Sequence, residues 1–430
     1  MPLRNTLERL LTRRVSFTRR VLPRASLFAF FAILGPGLIS AIAGDDAGGI
    51  GTYSVVGAKY GYQLLWSLVI ITVGLMIVQE MTARLTVMTG KGLSDLIRET
   101  FGVRITAFAM LTLFIANGAV TISEFVGIAA ASELFGVSRY LSVPLAAVVV
   151  WYVVIRGNYR LAEKIFLALS AVLGVYVISA FVVRPDWGAV LRGTLVPSIE
   201  PTADAILLTI AVIGTTISPY MQFSLSATTL DRGTKPEEYG LAFWETIIGA
   251  LLSDLFAFFI IVATAATLHV NGITQIETAD QAAQALAPIA GPLAQMLFAV
   301  GLLGASLLAA SILPLSTTYA ICEAFGWERG VNQEWRDAPI FYGIYSALIV
   351  IGAIVALIPG LPLFDIFVYV YLLNGILLPI LLVLMLKLAN NQRLMGEHVN
   401  SWWVNFLGWS LTIVLMVLTV VLVVTTLFPI

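Results

Sequence analysis

Residues 43–51 read AGDDAGGIG, and they lie midway along an apolar segment that extends from residue 28 to residue 57. The adjacent carboxylates of Asp45 and Asp46 would lie at bilayer depth, where a charged side chain is costly unless it is paired or faces a cavity. Four glycines between residues 44 and 51 permit the helix to unwind there and expose backbone carbonyls. The stretch therefore predicts a helix that is interrupted in the middle of a membrane.

A second interruption is predicted in the sixth apolar segment, where residues 214–220 read GTTISPY. Pro219 lacks a backbone donor and clashes with the preceding turn, so the helix should break there. Segments one and six are five apart, which is the offset expected for two five-helix repeats of opposite orientation with a binding site between them. A helix that ends in mid-membrane presents free carbonyls and the negative end of its dipole, and beside a carboxylate this surface suits a cation.

The composition supports a protein with many membrane spans. Of 430 residues, 59% are apolar and only 11% are charged, whereas a soluble domain carries about 25% charged residues. A soluble globule is thereby excluded, as are a disulfide scaffold, since Cys322 is the single cysteine, and a nucleic-acid binder, since the net charge is −1. At roughly 20 residues per span, eleven apolar segments are long enough: 28–57, 64–86, 105–132, 141–155, 163–183, 203–228, 240–268, 292–324, 340–358, 364–388 and 403–428.

The basic residues predict the orientation of these spans, because Lys and Arg are enriched in cytoplasmic loops. With the N-terminus in the cytoplasm, 20 of the 24 basic residues lie inside and four outside. We therefore expect a multi-pass plasma-membrane protein whose N-terminus is cytoplasmic. Residues 1–27 carry seven arginines and form a basic segment, either an interfacial helix on anionic lipid or a topology anchor.

The predicted organisation has four parts. The basic segment 1–27 precedes a first repeat, residues 28–187, which holds spans one to five. A second inverted repeat, residues 203–390, holds spans six to ten, and residues 402–430 form an eleventh span. At the cytoplasmic end of span two, Glu80 and Arg84 are four residues apart on one helix and are expected to pair.

At the two interruptions the chain resembles the NRAMP family of divalent-metal transporters, which have the LeuT-type fold. The resemblance implies an all-α membrane protein with eleven transmembrane helices, two inverted five-helix repeats and broken helices one and six. It further implies a transporter with a divalent cation as substrate and the lipid bilayer as its surroundings, with no resident cofactor and no obligate protein partner. The motifs that carry the resemblance are Gly35-Pro36-Gly37-Leu38, Gln79 to Leu85, Thr89-Gly90-Lys91, Leu302 to Ala305, Ser316-Thr317-Thr318, Pro379 and Met395-Gly396.

The chain departs from the family at the residues that would hold the ion. The family motif Asp-Pro-Gly-Asn in span one reads Asp46-Ala47-Gly48-Gly49 here, so the aspartate is kept and the asparagine amide is lost at Gly49. The motif Ala-Thr-Val-Met-Pro-His in span six reads Thr215-Thr216-Ile217-Ser218-Pro219-Tyr220. Ser218 thus replaces the thioether, and Tyr220 replaces the histidine linked to protons.

A third departure concerns span three, where the family places an Asp three residues before a Glu on its proton path. Glu124 remains, but Thr121 takes the Asp position. A thioether selects soft metals, whereas an all-oxygen site suits Mg²⁺, and the missing histidine and aspartate remove a titratable relay. The pattern resembles the NRAMP-related magnesium transporter branch, and it predicts uptake of Mg²⁺, with Mn²⁺ as a possible substrate, by alternating access without proton coupling.

Other functions remain open at this point. One is an ordinary proton-coupled Mn²⁺/Fe²⁺ transporter, and another is a Na⁺-coupled amino-acid carrier of the same fold. The carrier is disfavoured because Asp45 and Asp46 would repel a substrate carboxylate. An enzyme is not expected, because adjacent aspartates diverge around a helix and no His-Glu-x-x-His motif occurs.

The candidate site residues fall into two groups. The predicted metal contacts are Asp46, Ser218, the carbonyl of Thr215, and Gly49, whose missing side chain leaves room for water. Two of them have an alternative role: Asp46 could cap the following helix instead, and the hydroxyl of Ser218 could bond to its own helix. Predicted pathway or outer residues are Asp45, Tyr220, Glu124 and Thr121. Met221 is expected to face away from Ser218 and pack in the core.

Overall fold

The computed structural model describes residues 46–156, 159–198, 202–331 and 333–427, without the side chains of residues 159–163 and 427. All regular secondary structure in these ranges is helical, in agreement with the predicted all-α class. The α-helices are α1 (Ala47–Tyr60), α2 (Leu65–Thr89), α3 (Leu93–Leu134), α4 (Arg139–Ile155), α5 (Tyr159–Ser170), α6 (Val175–Val182), α7 (Trp187–Leu195), α8 (Ala203–Thr216), α9 (Pro219–Asp231), α10 (Tyr239–Thr264), α11 (Ala279–Ala283), α12 (Ala287–Ala290), α13 (Ala294–Phe325), α14 (Pro339–Ala356), α15 (Leu363–Ala389), α16 (Gln392–Met395) and α17 (Trp402–Leu427).

Each of the predicted spans two to eleven lies on these helices, and all but span three have similar bounds. Within the described residues, nine helical segments are long and apolar enough to cross a membrane, and α4 is a shorter apolar helix of 17 residues. Span five consists of α5 and α6 joined by a 3₁₀ turn at Ala171–Gly174, and a π-helical turn at Ala265–His269 extends span seven. Most of span one lies outside the described residues, which include only its end from Asp46 onward.

The break in span six lies where Pro219 places it. Helix α8 ends at Thr216, Ile217 leaves the helical region with φ −113° and ψ 67°, and Ser218 is extended. Helix α9 then begins with Pro219 at its first position, where the missing N–H would have had no partner in any case. The interruption predicted for span six is thereby confirmed.

Helix α1 begins at the position predicted for the second half of span one. Asp46 is extended and caps this helix, since its Oδ1 accepts a hydrogen bond of 2.8 Å from the backbone N–H of Gly49. The predicted first half of this broken helix, together with Asp45, lies outside the described residues.

Span three departs from its predicted bounds. Residues 105–132 are part of α3, which starts twelve residues earlier at Leu93 and bends at Gly102. Gly102 has a left-handed φ of 76°, a conformation that glycine adopts without steric cost. The bend separates residues 93–101 from the part of α3 that crosses the membrane.

Helix α15 packs closely against both α1 and α8. A Cβ on Gly214 of α8 would lie 2.1 Å from the backbone oxygen of Tyr371, and one on Gly375 would lie 2.5 Å from the backbone oxygen of Ile210. On the α1 side, a Cβ on Gly48 would lie 2.5 Å from the Tyr371 ring. These glycines let the three helix backbones approach, and this approach brings the polar residues of α15 to the breaks.

A buried ion pair fastens α2 to the segment before α17. The Nε atom of Arg84 lies 2.7 Å from Glu80 Oε1, as the spacing of four residues predicts. Arg84 also donates to Asn400 Oδ1 at 2.5 Å and to the carbonyl of His398, while the hydroxyl of Tyr239 in α10 donates to Glu80. The pair thus joins three parts of the chain that are distant in sequence.

Candidate metal site

The carboxylate of Asp46 is buried at the start of α1, with 2% of the residue exposed. Its Oδ1 accepts two hydrogen bonds, one from the N–H of Gly49 and one from the phenolic hydroxyl of Tyr371. The positive end of the α1 dipole adds to these bonds in favouring a negative charge at this point. The alternative role of Asp46 as a helix cap is confirmed, and the capping bond holds its carboxylate at the start of α1.

A second carboxylate, that of Glu124, lies beside the same helix end. Glu124 is fully buried on α3, and its Oε2 accepts a hydrogen bond of 3.3 Å from the N–H of Ala47. The hydroxyl of Ser123 lies 3.4 Å from its other oxygen. Two carboxylates therefore face the first turn of α1, and the free N–H groups of that turn are the donors that hold them.

Thr121 does not join this pair. Its hydroxyl donates back to the carbonyl of Asn117 at 2.8 Å, and its methyl carbon would lie 3.2 Å from a Cβ on Gly352 of α14. Thr121 therefore packs on the face of α3 that contacts α14, whereas Glu124 contacts α1. Gly49 is buried in α1 and takes part through its backbone N–H.

At the break between α8 and α9, Ser218 bonds to its own helix. Its hydroxyl donates to the carbonyl of Gly214 at 2.9 Å and, more weakly, to that of Thr215 at 3.3 Å. The hydroxyl of Thr215 donates to the carbonyl of Ala211 at 2.9 Å, so the predicted contact of Thr215 with an ion would have to come from its own carbonyl. The oxygen of Ser218 retains one further acceptor position, which the amide of Asn374 approaches at 3.4 Å.

Helix α15 contacts the carboxylate and the break at the same time. Tyr371 reaches Asp46, and Asn374, one turn later, reaches Ser218. The last residue of α8, Thr216, is joined directly to α1 by a hydrogen bond of 2.9 Å with Tyr53. The negative carbonyl end of α8 and the carboxylate at the start of α1 are therefore held against a common helix.

Tyr371 and Asn374 were not among the residues predicted from the sequence. Span ten has none of the glycine clusters or internal breaks that mark spans one and six, and Tyr371 resembles an ordinary core aromatic. The sequence does contain one indication of this part of the site, namely Asn374. Burying a polar amide in the apolar run 364–388 costs free energy at bilayer depth, so such a residue suggests a function.

A cavity of about 750 Å³ reaches the first turn of α9, next to the break, but its wall includes neither Asp46 nor Ser218. Its wall includes Tyr220 and Met221 in the first turn of α9, Gln79 of α2, and Arg232 and Arg329 near its mouth. Tyr220, which the sequence predicts to line the pathway, lines this cavity. The prediction that Met221 packs in the core is wrong in part, because Met221 is half-buried and lines the cavity.

The chemistry around Asp46 is that of a mixed oxygen site. Within the described residues, no three side chains of His, Cys, Asp or Glu converge as a protein metal cage would require. The oxygen groups near Asp46 and the break are instead carboxylate, hydroxyl, amide and backbone carbonyl. Hard cations such as Mg²⁺ and Mn²⁺ accept these ligands and retain water in the remaining positions.

Known proteins are similar in sequence to this chain over nearly its whole length. The family model described as natural resistance-associated macrophage protein-like, Nramp, matches residues 37–425. The divalent metal cation transporter MntH of Erwinia tasmaniensis is 31% identical over 395 residues, which cover 90% of this chain and 93% of that protein. MntH of Klebsiella pneumoniae subsp. pneumoniae is 28% identical, with 90% and 92% covered.

The fold is shared with solved transporters. The crystal structure of the Eremococcus coleocola manganese transporter, in complex with an aromatic bis-isothiourea substituted compound, aligns with a TM-score of 0.73 and 23% identity over 93% of this chain and 88% of that one. Mhp1, a nucleobase-cation-symport-1 family transporter, aligns with a TM-score of 0.53 and 14% identity over 93% of each chain. These likenesses confirm the predicted LeuT-type fold. Since the Nramp model matches residues 37–425, the chain belongs to the natural resistance-associated macrophage protein-like (Nramp) family.

Proposed function

We propose that this protein carries a divalent cation across the membrane by alternating access, with Asp46 as its principal ligand. The observation that carries the proposal is the buried carboxylate of Asp46, held by α1 and α15 beside the carbonyl end of α8. Its relatives are named divalent metal cation transporters and a manganese transporter, which supports the same substrate class. During transport the repeats 28–187 and 203–390 would move relative to each other around this site.

We further propose that the cavity opens to the cytoplasm and that the N-terminus is cytoplasmic in the plasma membrane. Arg232 and Arg329, near the cavity mouth, lie in loops that the distribution of basic residues assigns to the inside. An ion released from Asp46 toward Tyr220 would then enter the cell. The proposed direction of transport is import.

The proposal is tested by uptake into proteoliposomes. We expect Mg²⁺ and Mn²⁺ uptake by the wild-type protein and its loss in Asp46→Asn, since asparagine can still cap α1 but has no charge. Asp186→Asn is the matched control, because the exposed Asp186 caps α7 by accepting hydrogen bonds from the N–H groups of Gly188 and Ala189. Absence of uptake in the wild type, or full uptake in Asp46→Asn, would overturn the proposal.

The ion that the residues favour is Mg²⁺, with Mn²⁺ as a second substrate, and the proposed transport is not coupled to protons. The groups near Asp46 and the break offer oxygen ligands, and Gly49 has no side-chain amide that would replace a water of the Mg²⁺ hydration shell. Tyr220 and Thr121 replace the His and Asp of the family pattern. Metal uptake should therefore leave a pH dye inside the vesicles unchanged, and a stoichiometric pH change during uptake would overturn this part.

The second candidate function is a proton-coupled Mn²⁺/Fe²⁺ transporter of the ordinary Nramp kind. The Eremococcus coleocola relative is named a manganese transporter, which favours Mn²⁺ as the substrate. Two features of the structure also favour this candidate: the thioether of Met221 on the cavity wall and the buried Glu124 beside α1. A soft ion separates the candidates. Tight Cd²⁺ binding that Met221→Leu weakens would favour the second candidate, whereas the oxygen site predicts weak Cd²⁺ binding that this substitution leaves unchanged.

A further inference from the structure

The side chain of Asn374 is fully buried on α15, and its amide oxygen has no partner among the described residues. Most buried polar groups in folded proteins are hydrogen-bonded, so a buried acceptor without a donor needs an explanation. In a membrane-spanning helix such a group is especially unfavourable, since lipid offers it no donor. A ligand that binds transiently is one such explanation.

The hydrogen bonds of Ser218 determine which end of the amide is free. Because the Ser218 hydroxyl donates to the carbonyl of Gly214, its oxygen must act as the acceptor toward Asn374. The group that faces it is therefore the NH₂ group, Nδ2, at 3.4 Å. The carbonyl oxygen Oδ1 is left as the group without a partner.

The position of Asn374 is fixed by its helix. Tyr371 lies three residues earlier on the same face of α15, and its hydroxyl bonds to Asp46. The backbones of α8 and α15 touch at Gly214 and Gly375, so Asn374 remains against the break. The amide of Asn374 is thereby held at the break, on the face of α15 whose Tyr371 bonds to Asp46.

We propose that Oδ1 of Asn374 is a direct ligand of the transported cation. This inference rests on the proposed function. It adds one ligand to the proposed ion site, and this ligand lies on α15 and not on either of the two broken helices. Amide oxygens are ligands for hard divalent cations, and a neutral amide needs no deprotonation before it binds. The ion would satisfy Oδ1 when it is bound, and its Nδ2 bond to Ser218 would keep the oxygen oriented between transport cycles.

The test replaces the amide oxygen by sulfur. Asn374→Met puts a thioether of similar reach at this position, and the dissociation constants of Mg²⁺ and Cd²⁺ are then measured by calorimetry on the purified full-length protein. We expect the ratio of Cd²⁺ to Mg²⁺ affinity to rise about tenfold or more, because a thioether favours soft ions. A purely structural role would change both affinities alike, so an unchanged ratio would overturn the inference.

The chain offers a matched control for this substitution. Asn117 on α3 is also fully buried, its Oδ1 also has no partner among the described residues, and its Nδ2 donates to Thr317 at 2.7 Å. Asn117→Met should leave the ratio at its wild-type value. The same rise in the Asn117 variant would contradict a specific role for Asn374.

A second variant keeps the test valid if Asn374→Met does not fold. Asn374→Asp keeps the size of the side chain and adds a charge, so Mg²⁺ affinity should rise several-fold if this oxygen touches the ion. An unchanged affinity would overturn the inference. Wild-type protein and Asp46→Asn are measured in parallel. If the wild type binds no divalent cation, the proposed function fails together with this inference. If the wild type binds the ion, Asp46→Asn does not, and the Asn374 variants bind it as the wild type does, only the role of Asn374 fails.

Discussion

The hydroxyl of Tyr371 donates a hydrogen bond to Oδ1 of Asp46, 325 residues earlier in the chain. The same oxygen accepts the N–H of Gly49, so Tyr371 and the first turn of α1 share one carboxylate oxygen. A cation that binds this carboxylate competes with both donors. Tyr371 is therefore a competitor of the ion for this carboxylate oxygen.

Removing this competitor should strengthen ion binding. In Tyr371→Phe the ring still packs against Gly48, but the hydrogen bond is lost. A hydrogen bond contributes about 0.5–1.5 kcal/mol, so we expect the Mg²⁺ concentration at half-maximal uptake to fall roughly two- to tenfold, with a lower maximal rate because release slows. Saturation curves in proteoliposomes measure both quantities. Tyr345→Phe, in the buried part of α14, is the control, and weaker Mg²⁺ binding in Tyr371→Phe would contradict the prediction.

Glu124 should act as an acceptor for α1 and not as a proton carrier. Glutamine can still accept the N–H of Ala47, so Glu124→Gln should retain most Mg²⁺ uptake, whereas Glu124→Leu should lose much of it. Uptake is measured together with the pH inside the vesicles. Two results would instead identify Glu124 as part of a proton relay. One is the loss of all uptake in Glu124→Gln, and the other is proton entry in the wild type that is absent in Glu124→Gln.

The contact between α8 and α15 should not tolerate a methyl group. In Gly214→Ala the new Cβ would lie 2.1 Å from the backbone oxygen of Tyr371, which cannot move as a side chain could. We expect a destabilisation of about 1–3 kcal/mol and a lower Tm, since overpacking forces the backbones apart. Thermal unfolding in detergent measures the change. Gly343→Ala in α14 meets open space and should keep the wild-type Tm; equal Tm values for both variants would show that the two helices are not in tight contact.

The ion pair between Glu80 and Arg84 should matter for stability. Arg84→Met leaves the carboxylate of Glu80 buried and unpaired, with an expected cost of about 3–5 kcal/mol. Adding Glu80→Gln should restore part of this loss, because the unpaired charge is then removed. Arg232→Met breaks the more exposed pair with Glu245 and should cost about 0–1 kcal/mol. Chemical or thermal unfolding compares the three proteins, and similar losses for both arginine variants would argue against a special role of the buried pair.

The sequence predicts most of the helices because a membrane imposes a simple rule on composition. Span ten was predicted at 364–388, and α15 extends from Leu363 to Ala389. The break before Pro219 was equally accessible, since proline cannot continue the hydrogen bonding of the preceding turn. The bend at Gly102 was missed, because a single glycine between two polar stretches looks like an ordinary loop end.

The sequence predicts less of the site, since its geometry depends on contacts between distant residues. Asp46 was recognised from its cost at bilayer depth and Glu124 from the family pattern in span three, yet only the fold brings both to the start of α1. Ser218 was open to two interpretations, and the structure gives the bond to its own helix. Tyr371 was missed because nothing in its local sequence indicates that its hydroxyl reaches the carboxylate of Asp46 at the start of α1.

The depth of the cavity determines where the membrane voltage acts. Its volume of about 750 Å³ equals that of roughly 25 liquid water molecules. A water-filled cavity would carry little of the potential drop, so the electric field would concentrate in the protein between Tyr220 and the opposite side of the membrane. One charge crossing the whole field gains about 2.3 kcal/mol per 100 mV. Under the proposed import route, a doubly charged ion that has reached Tyr220 would have crossed most of the voltage, and its concentration gradient would drive the final exit.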